Sequence, residues 1–234
     1  MEMQPDPLLT ESEWADAHRF LSQTASGEPG PWRTERTPYL KEIMDCLSPA
    51  NPVEKVVFMK GAQIGGTEAG NNWIGYVIHH APGPMLAVQP TVEMAKRWSK
   101  QRIASLIDST PVLRERVKEA RARDSGNTVQ SKEFTGGILV MTGANSAVGL
   151  RSMPVRYLFL DEVDAYDFDV DGEGDPVSLA SQRTITFANR KIFLVSTPTI
   201  QGLSRIELEY DASDRRRWWV PCPECAEHQV LEEK

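Results

Sequence analysis

KVVFMKGAQIGGTE, residues 55–68, is the stretch that decides the fold of this 234-residue chain. The short β-branched run after Lys55 predicts a buried strand, and the apolar spacing after Thr67 predicts a helix. The glycine-rich segment between them is typical of a loop whose backbone N–H groups bind phosphate at the start of a helix. A strand, a glycine loop and a helix in this order indicate an α/β protein.

The loop departs from the usual phosphate-binding pattern, G-x-x-x-x-G-K-[ST]. Gly65 and Thr67 fit the pattern, but Gly66 stands where the lysine is expected. Lys60 occupies the place of the first glycine, and its flexible stem could bring an ammonium to the same phosphates. On the loop alone, a glycine turn without a ligand is an open alternative. The candidate nucleotide-binding residues are Lys60, Gly61, Ala62, Gln63, Ile64, Gly65, Gly66, Thr67 and Glu68.

A second candidate site follows the apolar run VRYLFL, which predicts a buried strand that leads into Asp161 and Glu162. Ligands of open parallel sheets bind at the carboxyl ends of the strands. One carboxylate could hold magnesium while the next orients and deprotonates a water molecule, which is the division of labour that ATP hydrolysis needs. An acidic turn without a catalytic role is the alternative for this pair taken alone.

The segments further out alternate between strand and helix patterns. PMLAVQP (84–90) and KIFLVS (191–196) predict two more strands, and residues 129–143 predict a hairpin around Gly136-Gly137. Helical patterns separate most of the strands, so the sheet should be mainly parallel with helices on its flanks.

The chain divides into three parts by pattern. A capping box formed by Thr10 and Glu13 predicts an N-terminal helix, and residues 38–47 predict a second short helix. We expect an N-terminal helical flank at 1–50, a P-loop ATPase core at 51–212, and the start of a Cys-bearing linker or zinc-knuckle-like element at 213–234.

Composition excludes several classes of protein. With 40% hydrophobic and 25% charged residues, the chain is neither a disulfide miniprotein nor wholly disordered. No apolar run approaches the roughly 20 residues that a membrane helix needs, so we expect no membrane partner. Three cysteines and the absence of a secretory signal pattern indicate an intracellular protein.

Charge is distributed unevenly along the chain. The net charge of −7 argues against a nucleic-acid partner when it is taken whole. Residues 161–175 hold eight acidic side chains and no basic one, whereas residues 96–132 hold ten Lys or Arg against four acids. Two predicted helices, at 91–107 and 111–123, carry most of these basic residues. They could follow a DNA backbone, with Arg97, Lys100 and Arg102 as candidate contacts, or they could present a solvated face.

Two patterns could bind other metals. Asp167, Asp169 and Asp171 match the first half of a calcium loop, but Ser178 stands in place of the bidentate glutamate, which favours a solvated acidic loop. Cys222 and Cys225 form half of a zinc knuckle, with further ligands required from elsewhere.

Three motifs in this order resemble the large terminase subunit of lambda-type tailed phages: KGAQIGGTE (60–68), LFLDEVDAY (158–166) and VSTPT (195–199). That family is known for a phosphate loop with its lysine at the front. RTPYLKEIMDCLSP, AVQPTVEMAKRWSKQRI and GANSAVGLRSMPVRY are also similar to the family, so the resemblance covers most of the chain. It implies a RecA-like P-loop ATPase of the ASCE type.

The resemblance also implies roles for individual residues. Lys60 would contact the phosphates, Thr67 and Asp161 would manage magnesium, and Glu162 would activate water. Ser196 and Thr197 would form the motif that couples nucleotide state to DNA, although hydroxyls there could equally cap the next helix. An arginine that stabilises transition-state charge is expected in such motors, and the candidates are Arg151 first and Arg156 second. Arg151 could equally pair with the acidic loop.

Tyr39, in TPYL, could stack on adenine, although an aromatic residue between helices is more often part of the core.

With these motifs, the resemblance implies an ATPase motor domain that moves double-stranded DNA into a procapsid. ATP and Mg²⁺ are the expected cofactors, with Zn²⁺ added if ligands lie beyond the chain end. The family implies a portal protein, a small terminase subunit and a ring of copies as partners, in the host cytoplasm and transiently at the portal vertex. We expect no nuclease activity in this chain. A helicase-like ATPase and a non-enzymatic, metal-supported DNA-binding module are the alternatives.

Overall fold

The computed structural model describes residues 8–23, 27–117 and 128–230, and a six-stranded sheet lies at its centre. In chain order the strands are β1 Phe20–Leu21, β2 Gly30–Pro31, β3 Lys55–Met59, β4 Met85–Gln89, β5 Ser131–Phe134, β6 Gly137–Gly143, β7 Tyr157–Asp161, β8 Lys191–Ser196, β9 Val220–Pro221 and β10 His228–Gln229.

The central sheet has the order β3-β8-β7-β4-β6-β5, and every neighbouring pair is parallel except β5 and β6. The predicted mainly parallel sheet is therefore confirmed, as is the hairpin around Gly136. β8 lies between β3, which leads into the phosphate loop, and β7, which ends at Asp161. Because neighbouring strands are about 4.8 Å apart, the residues that follow these three strands meet at one edge of the sheet.

Helices surround the sheet, some packed on its strands and others on neighbouring helices. They are α1 Glu11–His18, α2 Tyr39–Cys46, α3 Gly66–His79, α4 Val92–Trp98, α5 Ala104–Ser109, α6 Pro111–Arg114, α7 Ala147–Leu150, α8 Pro176–Ser181 and α9 Arg205–Asp211. Short 3₁₀ turns occupy Thr34–Arg36, Val163–Ala165 and Gln182–Thr184.

Alternate strand residues point to opposite sides of the sheet, and a hydrophobic cluster packs on each side. Phe159 and Phe193 stack on one face and pack with Trp73 of α3, while Leu158 and Leu194 pack on the other. A Cβ at Gly70 would lie 2.1 Å from the ring of Phe159. The glycine therefore lets α3 approach β7 closely, and this approach fixes the start of α3 relative to the sheet.

Both helices predicted in the N-terminal part of the chain are present. The capping box of Thr10 and Glu13 begins α1, and the predicted second helix is α2. The indole of Trp14 donates to His79 Nδ1 at 3.0 Å, so α1 is attached to the end of α3.

The basic region differs from its prediction in extent. α4 continues into α5 through a π-helical segment, Ser99–Ile103, so the first predicted helix is confirmed with an irregular middle. The second predicted helix, 111–123, is too long, because α6 ends at Arg114 and Val117 bridges to Phe134 of β5. Three of the basic residues counted in this tract, Lys118, Arg121 and Arg123, lie outside the described residues.

Near the end of the described chain, β9 and β10 form a small antiparallel hairpin. Across the three described ranges, no helix is long and apolar enough to cross a membrane.

Candidate active site

The ends of three strands bring the motif residues together at the carboxyl edge of the sheet. Lys60 directly follows β3, Asp161 ends β7, and Ser196 ends β8. The backbone N–H of Lys60 donates to the carbonyl of Ser196 at 3.0 Å, which continues the β3–β8 ladder into the loop. Lys60 and Asp161 are 101 positions apart in the sequence and Asp161 and Ser196 are 35 apart, and the parallel sheet places all three side by side.

The phosphate loop leads directly into the N-terminus of α3, which lies at this edge of the sheet. Gly65 has a φ of +85°, a conformation that glycine adopts without the steric cost of a Cβ, and α3 begins at the next residue. The first N–H groups of a 14-residue helix lack partners within the helix, so they are available to an anion. This geometry suits the phosphates of a nucleotide.

The path of Lys60 explains the missing lysine at position 66. A Cβ built on Gly66 would lie 2.8 Å from Cδ and Cε of Lys60 and 2.6 Å from Cγ1 of Val195. The stem of Lys60 therefore fills the space that a side chain at position 66 would need. The two lysine placements exclude each other in this packing.

The ammonium of Lys60 lies between two motif residues. Its Nζ is 3.0 Å from Oε1 of Glu162 and donates to Oγ1 of Thr197 at 3.2 Å, and only 6% of the side chain is exposed. The cation thus joins the loop, the predicted catalytic carboxylate and the predicted coupling motif.

Thr67 and Asp161 form the adjacent part of the site. The hydroxyl of Thr67 donates to Asp161 Oδ2 at 3.0 Å, and Nε2 of Gln89 donates to the same oxygen at 3.0 Å. Burial raises the pKa of Asp161 to about 6, although the hydrogen bonds from Gln89 and Thr67 and the charge of Lys60 act in the opposite direction. A hydroxyl and a buried carboxylate are hard oxygen ligands, so this pair fits Mg²⁺.

Glu162 has an unusual backbone. Its φ of +55° is rare for a residue with a side chain, and conformations of this kind are concentrated at functional sites. The turn separates the directions of the two carboxylates, since Asp161 faces Thr67 while Glu162 faces Lys60. Glu162 is also the more accessible, with 37% of its side chain exposed.

A third carboxylate of the same turn holds the loop that follows β8. Asp164 Oδ2 accepts from the N–H of Thr199 at 3.0 Å, and its Oδ1 accepts from the N–H of Ile206 at 2.9 Å. Its own N–H donates to the hydroxyl of Ser196 at 3.2 Å. Burial raises the pKa of Asp164, but hydrogen bonds from Ser204, Ile206 and Thr199 outweigh burial and leave it below its ordinary value.

These contacts bear on the alternative that Ser196 and Thr197 cap the next helix. The residue that caps α9 is Ser204, whose side chain accepts from the N–H of Glu207. Ser196 and Thr197 lie instead against Asp164 and Lys60. The interpretation of the two hydroxyls as a helix cap is therefore wrong.

Tyr39 and Glu68 lie beside the cluster rather than in it. The phenol of Tyr39 donates to the carbonyl of Ile64 in the loop at 3.1 Å. The carboxylate of Glu68 contacts Arg19 at 3.4 Å and accepts from Asn71 at 3.0 Å, so it connects α3 to the N-terminal flank.

The two candidate arginines lie in different places. Arg151 follows α7 and pairs with Glu173 of the acidic loop at 2.9 Å, which is the alternative pairing considered from the sequence. Arg156 precedes β7 at the amino end of the sheet and lies over the ring of Tyr157. It is separated from Asp161 by the full length of the strand.

The predicted DNA contacts are exposed on one continuous helical segment. Arg97 lies in the last turn of α4, and Lys100 and Arg102 lie in the π-helical segment. Lys100 and Arg102 also line an open cavity of about 790 Å³ together with Ser22 and Ser105. Arg102 approaches Glu68 at 3.8 Å, so this surface adjoins the start of α3.

The two C-terminal cysteines lie at the turn between β9 and β10. Hydrogen bonds from the backbone N–H groups of Cys225 and Glu224 hold the pKa of Cys222 below its ordinary value. No group of three or more His, Cys, Asp or Glu side chains suited to a metal occurs in the described part of the chain. In the acidic loop, Asp169 accepts from the N–H groups of Gly172 and Gly174, so it is used to hold its own turn.

Sequence reasoning missed two residues of the site, Gln89 and Asp164. Gln89 is a polar residue at the carboxyl end of a fully buried strand that neighbours β7. A polar residue at the end of an apolar run is the signal in the sequence that could have identified it. Asp164 is the last acid of DEVD, and its role depends on a contact with residues 35 and 42 positions away.

A mainly parallel sheet with a phosphate loop, a hydroxyl–carboxylate pair and a neighbouring glutamate at one edge defines a P-loop ATPase domain. The family described as phage terminase large subunit gpA, ATPase domain, matches residues 26–234, and the chain belongs to it. This membership favours the terminase over the helicase-like ATPase and the metal-supported DNA-binding module.

Two relatives support the assignment. The chain is 31% identical over 229 residues to the terminase large subunit of Enterobacteria phage P21 and 29% identical to that of Escherichia phage lambda. Each alignment covers 97% of this chain but 35% of the relative. The chain thus spans about a third of the length of these relatives.

Solved structures show the same fold. The large terminase of bacteriophage HK97 matches with a TM-score of 0.65 and 14% identity, covering 87% of this chain and 41% of the other. The large terminase ATPase domain of Thermus phage P74-26 matches with a TM-score of 0.52 and 17% identity, covering 80% and 75%.

Proposed function

We propose that this domain hydrolyses ATP at the carboxyl edge of the sheet and couples hydrolysis to the movement of double-stranded DNA into a procapsid. The single observation that carries the proposal is the position of Lys60, whose ammonium contacts both Glu162 and Thr197. A nucleotide that binds Lys60 changes the surroundings of the hydrolytic carboxylate and of the coupling motif at once.

The loop and Lys60 bind the phosphates in this proposal. The N–H groups at the start of α3 and the ammonium of Lys60 supply positive charge to the terminal phosphates. Thr67 and Asp161 would hold Mg²⁺, which supplies charge neutralisation at the phosphate oxygens when bound. Gln89 keeps Asp161 oriented toward Thr67.

Glu162 is the general base. While Lys60 pairs with Glu162, the charge of the ammonium balances that of the carboxylate. When the phosphates attract Lys60, Glu162 is left free to accept a proton from a positioned water molecule. Arg151 remains our candidate for stabilising the transferred charge, and this role requires that it leave Glu173.

Coupling runs through the loop after β8. Thr197 loses or regains its contact with Lys60 according to the nucleotide state, and Asp164 connects the same loop to α9. Arg97, Lys100 and Arg102 are the proposed contacts to DNA phosphates, since their helical segment adjoins Glu68 of α3.

The wider setting is proposed from the family. We infer a portal protein, a small terminase subunit and further copies of the chain in a ring as partners, in the host cytoplasm and at the portal vertex. Cys222 and Cys225 would bind Zn²⁺ only together with ligands outside the described residues. We keep the division into a flank at 1–50, a core at 51–212 and a Cys-bearing element from 213.

A pair of lysine variants tests the proposal. Lys60→Ala should abolish ATP binding and turnover, because it removes the cation at the phosphates. Lys41→Ala, which removes an exposed lysine paired with Asp45 on α2, is the matched control and should change neither. Equal ATP affinity and turnover in the two variants would contradict the proposed site.

A further inference from the structure

The segment after α9 returns to the phosphate-loop side of the molecule. Tyr210 of α9 donates to the carbonyl of Arg215 at 3.0 Å, and the guanidinium of Arg216 pairs with Glu42 of α2. Two residues later, the ring of Trp218 meets the ring of Tyr39 edge-on, with centroids 6.3 Å apart and an interplanar angle of 68°. Residues 215–218 therefore connect α9 to α2.

The face of α2 that receives this segment also contacts the loop. Tyr39 and Glu42 are three residues apart and so lie on the same side of the helix. Tyr39 donates to the carbonyl of Ile64, and a Cβ on Gly65 would lie 3.2 Å from the side chain of Leu40. The aromatic pair is thus attached to the loop at Ile64, and α2 also lies against Gly65, the residue before the start of α3.

We propose that Trp218 supplies an aromatic face for the base of the nucleoside triphosphate whose phosphates lie on the loop. The inference rests on the proposed function, because it needs a nucleotide at this site. About half of the Trp218 surface is exposed, at 49%, although the ring is held against Tyr39. An indole that is fixed at one edge and open elsewhere can stack on a flat ring.

Stacking of this kind recognises a base without reading its edges, since every base has a π-face. Trp218 therefore strengthens the binding of ATP and GTP alike and contributes nothing to a triphosphate without a base. Trp219 provides a matched control, because it is similarly exposed, at 56%, and makes no aromatic contact with the described residues.

Calorimetric titration of the 234-residue chain with ATP, GTP and inorganic tripolyphosphate tests the inference. Trp218→Ala should weaken ATP and GTP about tenfold, the lower part of the range for base–aromatic stacking, and leave tripolyphosphate unchanged. Trp218→Phe should bind ATP within about threefold of the unmodified chain, because it keeps a ring. Trp219→Ala should bind all three ligands normally.

Two outcomes overturn the inference: ATP affinity in Trp218→Ala equal to that of Trp219→Ala, or an equal loss for ATP and tripolyphosphate. If Trp218→Ala does not fold, tryptophan fluorescence provides the test. ATP should quench the fluorescence of the unmodified chain more than that of Trp218→Phe. Equal quenching in the two proteins overturns the proposal. Lys60→Ala tests the phosphate site separately from the base contact. Normal tripolyphosphate binding in that variant would contradict the phosphate site, whereas its loss leaves the base contact as the only point in question.

Discussion

Nζ of Lys60 lies 3.0 Å from Oε1 of Glu162, which joins the phosphate loop to the carboxylate that follows β7. In the proposed function, the phosphates of ATP would compete with Glu162 for this ammonium. On that proposal, binding of the substrate and release of Glu162 from its ion pair would be one event. Because Lys60 lies at the front of the loop, its ammonium reaches Glu162 as well as the proposed phosphate site.

The exclusion between Lys60 and a side chain at position 66 leads to a first prediction. Gly66→Ala should lower the free energy of unfolding by about 1–3 kcal/mol, the usual cost of overpacking, and should weaken ATP binding because the Lys60 stem must move. In a Lys60→Ala background the stability cost should be smaller, since one of the two crowded neighbours is gone.

Chemical denaturation of the two single variants and the double variant measures this coupling. Gly27→Ala is the control, because a Cβ there meets no atom within 4 Å. Additive stability changes for Gly66→Ala and Lys60→Ala would show that the two side chains do not share this space.

Asp164 leads to a second prediction. Both carboxylate oxygens accept hydrogen bonds, so Asp164→Asn places an amide N–H against a backbone donor and should cost about 1–3 kcal/mol of stability. The proposed coupling to DNA predicts that duplex DNA raises ATP turnover. We expect Asp164→Asn to keep its ATP affinity and to lose this response to DNA, because the loop after β8 is released from the turn that carries Glu162.

Asp167→Asn is the control for this change, since Arg205 binds only the backbone carbonyl of Asp167. Nucleotide titration and turnover with and without duplex DNA make the comparison. DNA stimulation of equal size in the two variants would limit Asp164 to a structural role.

The basic surface leads to a third prediction. The double substitution Arg97→Glu and Lys100→Glu should weaken duplex DNA binding and reduce its dependence on salt, by about 0.9 in the logarithmic slope for each lost phosphate contact. Lys55→Glu changes an exposed lysine at the amino end of β3 and is the control. A salt slope unchanged by the double substitution would place the DNA on another surface.

Glu11 leads to a fourth prediction, on pH. Its side chain is fully buried at the start of α1, and neither carboxylate oxygen has a hydrogen-bond partner among the described residues. Burial, and then the charge of Asp45, raise the pKa of Glu11 well above its ordinary value. The folded state therefore holds this proton more tightly than the unfolded state, and stability is lost as pH rises from the unfolded pKa through the folded one.

Glu11→Gln should accordingly raise the melting temperature at pH 7, by about 2–4 °C for each kcal/mol gained, and the gain should vanish near pH 4. Glu35→Gln, at an exposed position of the same flank, should have no such pH-dependent effect. Thermal melts across this pH range decide, and a constant difference at every pH would exclude ionisation of Glu11 as the cause.

Much of the fold could be predicted from the sequence, because it depends on local patterns. The strands β4, β7 and β8 are short apolar runs that are buried as predicted, and the capping box begins α1 where expected. β3 is also present, but the prediction that it is buried is wrong, because it lies at the edge of the sheet and only Val56 of it is buried. Hydrophobic periodicity and breakers act over a few residues, so they are visible in one sequence.

Other features depend on contacts between distant residues and were not predictable in this way. The helix predicted over 111–123 ends early where Val117 meets Phe134, a tertiary pairing that helix propensity does not contain. Glu68 belongs to the loop motif, yet its carboxylate is drawn to Arg19, 49 residues earlier. The motif spacing indicates which residues reach the site and leaves their partners undetermined.

The central claim, that Glu162 is the base of an ATPase whose Lys60 binds the phosphates, is tested most directly by single-turnover ATP hydrolysis in Glu162→Gln. We predict that ATP still binds, because the phosphate loop is intact, while hydrolysis falls by a factor of roughly 10² or more, as for loss of a positioned base. Hydrolysis at a near-normal rate in that variant, with ATP bound, would contradict the account.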